Sequence, residues 1–329
     1  MEAQKTALVI GAAGGVGFET AKALIAHGWR VRALARDVSK IPALPGATLI
    51  AGDAMDGAAV MRAAAGADVI VHAANPPGYR DWRGLGLPML NNAVAAAVEN
   101  RARLAFPGNI YNYGPDAFPV LTEDAPQNPV SKKGAVRVEM EQRLESACAQ
   151  GARVLILRAG DFFGPHSAGS WLSQGMVKPG QRVRSVSNPS APGVGHAWAY
   201  LPDFAETFVQ LLDRESALEA FARFHFGGHW FARGEDFAEA IVVAAGQPGA
   251  PIRQFPWTMV HALGYAPFAA LFRELAEMHY LWRTPVRLDN SKLVAFLGAE
   301  PRTPLDVALR TTLDTMGCLG LAPALAEAL

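Results

Sequence analysis

The chain has 329 residues, 50% hydrophobic and 18% charged, which is enough apolar material for one large α/β domain or two medium ones. Its 30 basic residues balance 30 acidic ones, so no basic stripe exists and nucleic acid is not an expected partner. Cys148 and Cys318 stand far apart with no CxxC pair or metal-ligand pattern, no apolar run is long enough to span a membrane, and the N-terminus carries no leader-like segment; these features predict a cytoplasmic protein with reduced thiols. Thr6–Ile10 (TALVI) is a short apolar run of the kind buried on both faces of a parallel sheet. A glycine-rich turn follows, Gly11-Ala12-Ala13-Gly14-Gly15-Val16-Gly17, then a helical pattern over Phe18–His27 and a second strand over Arg30–Ala35. Strand, turn, helix and strand in this order aim backbone N–H groups and a helix N-terminus at one spot, which suits a pyrophosphate. Gly11 would permit the tight turn, Gly14 the close approach of phosphate and Gly17 the packing of helix on strand, with Ala13, Gly15 and Val16 completing the cradle.

The GxxGxxG spacing at the very start of the chain resembles the extended branch of the short-chain dehydrogenase/reductase superfamily, the epimerase/dehydratase-like group. The resemblance implies a doubly wound parallel sheet with helices on both faces and a nicotinamide cofactor. NAD-specific members carry an acid at the end of the second strand to hold the ribose 2′-hydroxyl. Here that slot is Ala35 and Arg36 follows, a guanidinium suited to a 2′-phosphate, so NADP is expected over NAD; the neighbouring Asp37 is the one residue that speaks for NAD. Thr48–Ala51 reads as the third strand, and Asp53, followed by Ala54, matches the family residue that accepts from the adenine amino group. Asp56 reads as the N-cap of a helix over Gly57–Ala65. Val69–His72 is the fourth strand, and Ala73-Ala74-Asn75 resembles the small-residue segment that flanks the cofactor ribose and phosphates, with His72 itself structural. Pro76–Gly86 is a loop carrying Tyr79, Trp82 and two arginines, placed to cover the cofactor. Helices are expected over Leu87–Asn100 and Lys132–Gln150; in the resembling family these often pair across a homodimer, the alternative being packing within the subunit.

The reacting end departs from the family. Extended reductases read Ser-Ser-x-x-Val-Tyr-Gly after the fifth strand, here Arg103–Pro107; aligned on Tyr113-Gly114, the carbonyl-polarising Ser slot holds Asn109, whose amide NH₂ can still donate. In the Tyr-x-x-x-Lys register, Lys133 takes the Tyr slot and Arg137 the Lys slot. Arg137 can supply positive charge and hold the nicotinamide ribose. Lys133 could serve as a proton group only after losing its charge, or could donate as an ammonium. Tyr111 occupies the position that faces substrate in sugar-nucleotide dehydratases, with plain aromatic wall as the alternative; Tyr113 is read as wall. The expected catalytic set is therefore Asn109, Tyr111, Lys133 and Arg137.

Val154–Arg158 is the sixth strand, and Arg158-Ala159-Gly160-Asp161-Phe162-Phe163-Gly164-Pro165 resembles the loop by which relatives cross to the substrate side. The segment Ser167–Gly195 carries Lys178, Arg182 and Arg184 in a region that grips a diphosphate in sugar-nucleotide epimerases, although basic residues on loops are commonly solvated. His196 stands where a phosphate-gripping Arg is often found, and Asp203 is expected to cap a helix ending at Leu212. A late strand is expected over Phe221–Phe226 and a helix over Glu235–Ala245. Trp257–Tyr280, rich in Trp, Phe, Met and Leu, reads as core packing or, alternatively, a hydrophobic ceiling over substrate. The expected organisation is a cofactor-binding Rossmann domain over residues 1–164, with a later contribution from about 196–230, and a mainly substrate-binding, discontinuous domain over 165–329. The expected activity is an NADP-dependent oxidoreductase of the extended short-chain type acting on a small carbonyl or alcohol. The alternatives are a nucleotide-sugar epimerase or dehydratase and a catalytically inactive nicotinamide-binding sensor.

Overall fold

The computed structural model describes residues 4–76, 81–266 and 270–319. In the first half the strands are Thr6–Ile10 (β1), Arg30–Ala35 (β2), Ala47–Ala51 (β3), Val69–His72 (β4), Arg103–Asn109 (β5), Val120–Leu121 (β6), Arg153–Ala159 (β7) and Asp161–Phe163 (β8). Later come Val186–Asn188 (β9), His196–Tyr200 (β10), Phe221–His225 (β11), His229–Phe231 (β12), Ile252–Gln254 (β13) and Arg287–Leu288 (β14). The helices are Gly15–Ala26 (α1), Gly57–Ala64 (α2), Leu87–Asn100 (α3), Lys132–Cys148 (α4), Leu201–Asp213 (α5), Gly234–Ala244 (α6), Trp257–Gly264 (α7), Ala270–Glu277 (α8), Ser291–Leu297 (α9) and Leu305–Thr315 (α10).

β1, β4 and the middle of β7 are continuous apolar runs with every residue buried, because helices cover both faces of the sheet they join. That sheet is seven-stranded in the order β3-β2-β1-β4-β5-β7-β11, and its pairings are all parallel. Strand order reverses between β1 and β4, so a crevice opens at their carboxyl ends. On one face, α1 and α5 close a core containing Val9, Phe18, Leu24, Phe204 and Phe208. On the other, α2, α3 and α4 close a core containing Ile10, Val60, Leu90, Met140 and Leu144. The doubly wound architecture expected from the sequence is the one observed.

The C-terminal half builds a third core around Phe163, Trp198, Phe237, Trp257 and Trp282. Its small sheets tie distant segments together: β10 pairs with β8 in parallel and with β12 in antiparallel fashion, β13 with β9, and β14 with β6. Within the Trp257–Tyr280 stretch, Trp257 and Val260 are buried in this core while Met259, Leu263 and Tyr265 face outward; Pro267 lies outside the described residues.

One local expectation fails. Asp203 is not the cap of α5: the helix begins at Leu201, with Tyr200 at the N-cap position and no side-chain cap. Pro202, whose fixed φ suits the first helical turn, starts the helix early. The Asp203 carboxylate instead accepts from the Thr303 N–H at 2.7 Å and hydroxyl at 2.6 Å, tying α5 to the segment before α10. Asp56, by contrast, caps α2 through the N–H groups of Ala58 and Ala59, at 2.9 and 3.1 Å.

Candidate active site

The turn after β1 shows why glycine is required. Gly11 has φ +88°, and a Cβ there would stand 2.7–2.8 Å from the Ala73–Ala74 backbone. A Cβ on Gly17 would run into the Gly11 carbonyl oxygen. The turn is pinned to β2 by the N–H groups of Gly11 and Ala12, which both donate to Leu34 O. Gly14 is the N-cap of α1 and offers no side-chain cap, and the first turn of α1 has no acidic residue. Its leading N–H groups and the positive end of the helix dipole are thus unscreened by the protein, with Ala13 and Gly14 exposed beside them. This is a cradle that an added Cβ would fill and that fits a pyrophosphate.

The other cofactor candidates gather around the same crevice because they follow the carboxyl ends of adjacent parallel strands. Arg36, after β2, is exposed. Asp37 is folded onto its own turn, accepting from the Ser39 hydroxyl at 2.6 Å and N–H at 3.1 Å and lying 3.6 Å from Lys40 Nζ. These Ser39 hydrogen bonds hold its carboxyl below the ordinary value. Asp53, after β3, is exposed and accepts from the Met55 N–H at 3.0 Å, while Ala54 is buried beside it. Ala73, after β4, donates its N–H to Ile10 O at 2.9 Å and so brings Ala73, Ala74 and Asn75 against the glycine turn. Tyr79 and Arg80 of the covering loop lie outside the described residues.

A cavity continues from this crevice, and its wall includes Val16, Ala73, Ala74, Asn75, Asn109, Tyr111, Arg137 and Asp161. Asn109 ends β5 and its Oδ1 accepts from the Tyr111 N–H at 3.0 Å. The bond fixes the amide orientation, and among the described residues its NH₂ makes no hydrogen bond, so it is presented as a donor. Arg137 projects from α4, whose N-terminus is capped by Ser131, its Oγ accepting from the Gly134 N–H at 3.0 Å. The buried guanidinium sits 4.8 Å from the Trp82 ring and 5.3 Å from the Phe106 ring and donates to Asn75 Oδ1 at 3.1 Å. It also faces His72, whose pKa is pushed down to about 3 by burial and then by this positive charge. His72 is therefore a neutral wall residue.

Lys133, one turn earlier on α4, goes elsewhere. Its ammonium is ion-paired with Glu274 of α8 at 2.7 Å, and it does not line the cavity. The cavity wall thus includes Asn109, Tyr111 and Arg137 but not Lys133. Lys178, Arg182 and Arg184 are exposed and also absent from the wall.

Behind the cavity lies a buried polar network. Arg158 of β7 donates to both carboxylate oxygens of Glu141, to the Tyr113 hydroxyl and to Glu123 O. His225 Nδ1 faces Leu121 O at 3.1 Å and so carries the proton, leaving Nε2 as acceptor 3.2 Å from both Arg158 and Tyr113. Burial, followed by the Arg158 charge, lowers the His225 pKa to about 3, and burial raises that of Tyr113 to about 12. Tyr113, read from sequence as aromatic wall, is fully buried in this network and is not part of the cavity wall.

Sequence reasoning gave no role to Asp161, which lines the cavity and accepts from His196 Nε2 at 2.7 Å. The available signal was an acid and a histidine set in two apolar stretches, DFF and HAWAY, where each needs a buried partner.

The fold has known counterparts. The NAD dependent epimerase/dehydratase family model matches residues 7–225. Among solved structures, the chain is similar to the Bordetella bronchiseptica enzyme WbmH in complex with NAD+, at 21% identity and TM-score 0.69 over 95% of this chain and 98% of that one. It is also similar to MoeE5 in complex with UDP-glucose and NAD, at 16% identity and TM-score 0.70 over 94% and 98%. A third is UDP-N-acetylglucosamine 4-epimerase from Bacillus cereus, at 14% identity and TM-score 0.70 over 98% and 99%. At these identities the likeness establishes the fold. No curated protein matches the chain.

Proposed function

The chain belongs to the NAD dependent epimerase/dehydratase family, and on that premise we propose that it is a pyridine-nucleotide enzyme acting on a hydroxyl-bearing carbon of a sugar-type substrate. This epimerase or dehydratase reading has better support than simple reduction of a small carbonyl, since the solved relatives include a UDP-N-acetylglucosamine 4-epimerase and a protein bound to UDP-glucose and NAD. The observation that carries it is the convergence of Asn109, Tyr111 and Arg137 on one cavity that continues from the glycine cradle.

When bound, the nicotinamide accepts and returns a hydride, which is the cofactor's own chemistry. The protein must orient the substrate and move one proton. Asn109 is suited to donate its amide N–H to the substrate oxygen as charge develops there. The Tyr111 oxygen is the proposed proton station: as phenolate it takes the hydroxyl proton while a carbonyl forms, and as phenol it gives the proton back. Arg137, fixed by Asn75 and two aromatic rings, would hold the nicotinamide ribose and keep a positive charge at the reacting end. Lys133 is proposed to act structurally through Glu274.

For the nucleotide, we favour NADP. Ala35 supplies no carboxylate, Asp37 is occupied by Ser39, and exposed Arg36 is available to a 2′-phosphate. The test is fluorescence titration with NADPH and NADH, followed by a screen of sugars and UDP-sugars for reduction of the bound oxidised nucleotide. NADPH should bind more tightly, and Arg36→Ala should weaken NADPH by about tenfold or more, the worth of one charge-assisted phosphate contact, while leaving NADH unchanged. Equal loss for both nucleotides would remove the 2′-phosphate assignment. Tight binding with no turnover across the screen would instead mark a sensor.

A further inference from the structure

Asp161 is the first residue of β8 and is set opposite Trp198 by the parallel pairing of β8 with β10. Two positions before Trp198, His196 is 1% exposed and lies under Trp282, the two rings stacked at 4.0 Å and 18°. His196 Nε2 faces Asp161 Oδ2 at 2.7 Å, so Nε2 carries the proton and donates it to the carboxylate. Nδ1 is buried and has no partner among the described residues. A second proton there would create a buried donor without an acceptor, so the neutral tautomer fits the site. The imidazole thus fixes Asp161 and leaves the carboxylate its charge.

That charge belongs to the cavity wall. Asp161 lines the cavity with Asn109 and Tyr111, and its Oδ1 makes no hydrogen bond among the described residues. A carboxylate oxygen is an acceptor only and requires a donor. The cation on the same wall, Arg137, is held by Asn75, Trp82 and Phe106. The loop cations Lys178, Arg182 and Arg184 are exposed and off the wall. A diphosphate in this cavity would face a fixed carboxylate, whereas a neutral hydroxyl would give Oδ1 the donor it lacks.

We propose that Asp161, positioned by His196, is a specificity-determining residue that selects an uncharged, hydroxyl-bearing group beside the reacting carbon and excludes a diphosphate; the substrate class is a polyol or a sugar without a nucleotide. This rests on the function proposed above, and deepens it by naming the substrate class.

Two probes separate the inference from that function: turnover of the NADP-loaded protein with D-galactose and with UDP-galactose, and binding of UDP to the NADPH-loaded protein, whose pyrophosphate cradle is filled. The wild type should oxidise galactose and not UDP-galactose. Asp161→Asn, nearly isosteric, should raise KM for galactose and tighten UDP by about tenfold or more, the order of one like-charge contact removed from a partly buried site. His196→Gln, which keeps an N–H donor, should behave like the wild type, while His196→Leu should shift toward Asp161→Asn in KM rather than in NADPH affinity. Retained NADPH binding shows that each variant is folded. UDP binding the wild type as tightly as Asp161→Asn, or UDP-galactose outcompeting galactose, would overturn the inference and leave the proposed function standing. If neither sugar turns over, the proposed function fails for these substrates, and the UDP comparison still decides the role of Asp161.

Discussion

Replacing Gly11 by alanine is expected to abolish nucleotide binding, weakening it by at least about 100-fold, and to lower stability by about 1–3 kcal/mol. Two independent causes act together. The residue sits at φ +88°, where a Cβ is strained, and that Cβ would stand 2.7 Å from Ala74 N and 2.8 Å from Ala73 C and Ala74 Cα. Those are backbone atoms of the segment that β4 presses against the turn through Ala73 N–H to Ile10 O, so no side chain can swing aside. The turn must open, and the helix N-terminus then loses its aim. Gly14→Ala is the informative partner: its Cβ meets only Gly11 O, at 3.4 Å, and the protein should fold normally. Because the phosphate is proposed to approach at Gly14, this variant should still bind nucleotide less well. Thermal melts and NADPH titrations of both variants check the pair; unchanged binding in Gly11→Ala would mean the turn holds no pyrophosphate.

The largest loss of stability is expected from Arg158→Met. Arg158 is fully buried and Glu141 is 4% exposed. Burial opposes the guanidinium charge, but the Glu141 carboxylate more than offsets it, and the Arg158 pKa is raised above its usual value. Removing the cation strands Glu141 in the core and also takes a donor from Tyr113 and Glu123 O. Breaking a buried pair from one side costs about 3–5 kcal/mol, which for a chain of this size corresponds to a fall in Tm of roughly 4–7 °C. Removing both partners should cost far less, because Arg158→Met with Glu141→Leu leaves no charge behind. A coupling near zero in this double-mutant cycle, or a single variant melting with the wild type, would show that the network contributes little.

The central sheet was legible in the sequence because each of its strands is a local apolar run between punctuating residues. β1, β2 and β4 fall where TALVI, RVRALA and VIVH place them, and Asp56 caps α2 as its position before an apolar helix suggests. The gathering of the cofactor candidates around one crevice was legible for the same reason, since they follow the ends of adjacent parallel strands. What was hidden depends on pairings between distant segments. Asp161 and His196 meet only through the pairing of β8 with β10, and Lys133 meets Glu274 across 141 residues of chain. Asp203 misled because an acid near a helix start resembles a cap, whereas Pro202 had already begun the helix and Thr303 supplied the true partner.

The most direct test of the proposed chemistry is the rate at which a hydroxyl-bearing substrate reduces nucleotide bound to the wild type, Tyr111→Phe and Lys133→Ala, with NADPH affinity measured alongside. Tyr111→Phe should slow reduction by roughly 100-fold or more, the usual weight of a positioned proton-transfer group, and leave NADPH affinity unchanged. Lys133→Ala should keep most of the rate, because its ammonium is engaged by Glu274 away from the cavity. The opposite pattern, full activity in Tyr111→Phe and loss in Lys133→Ala, would contradict the assignment of Tyr111 as the proton station and return that role to Lys133.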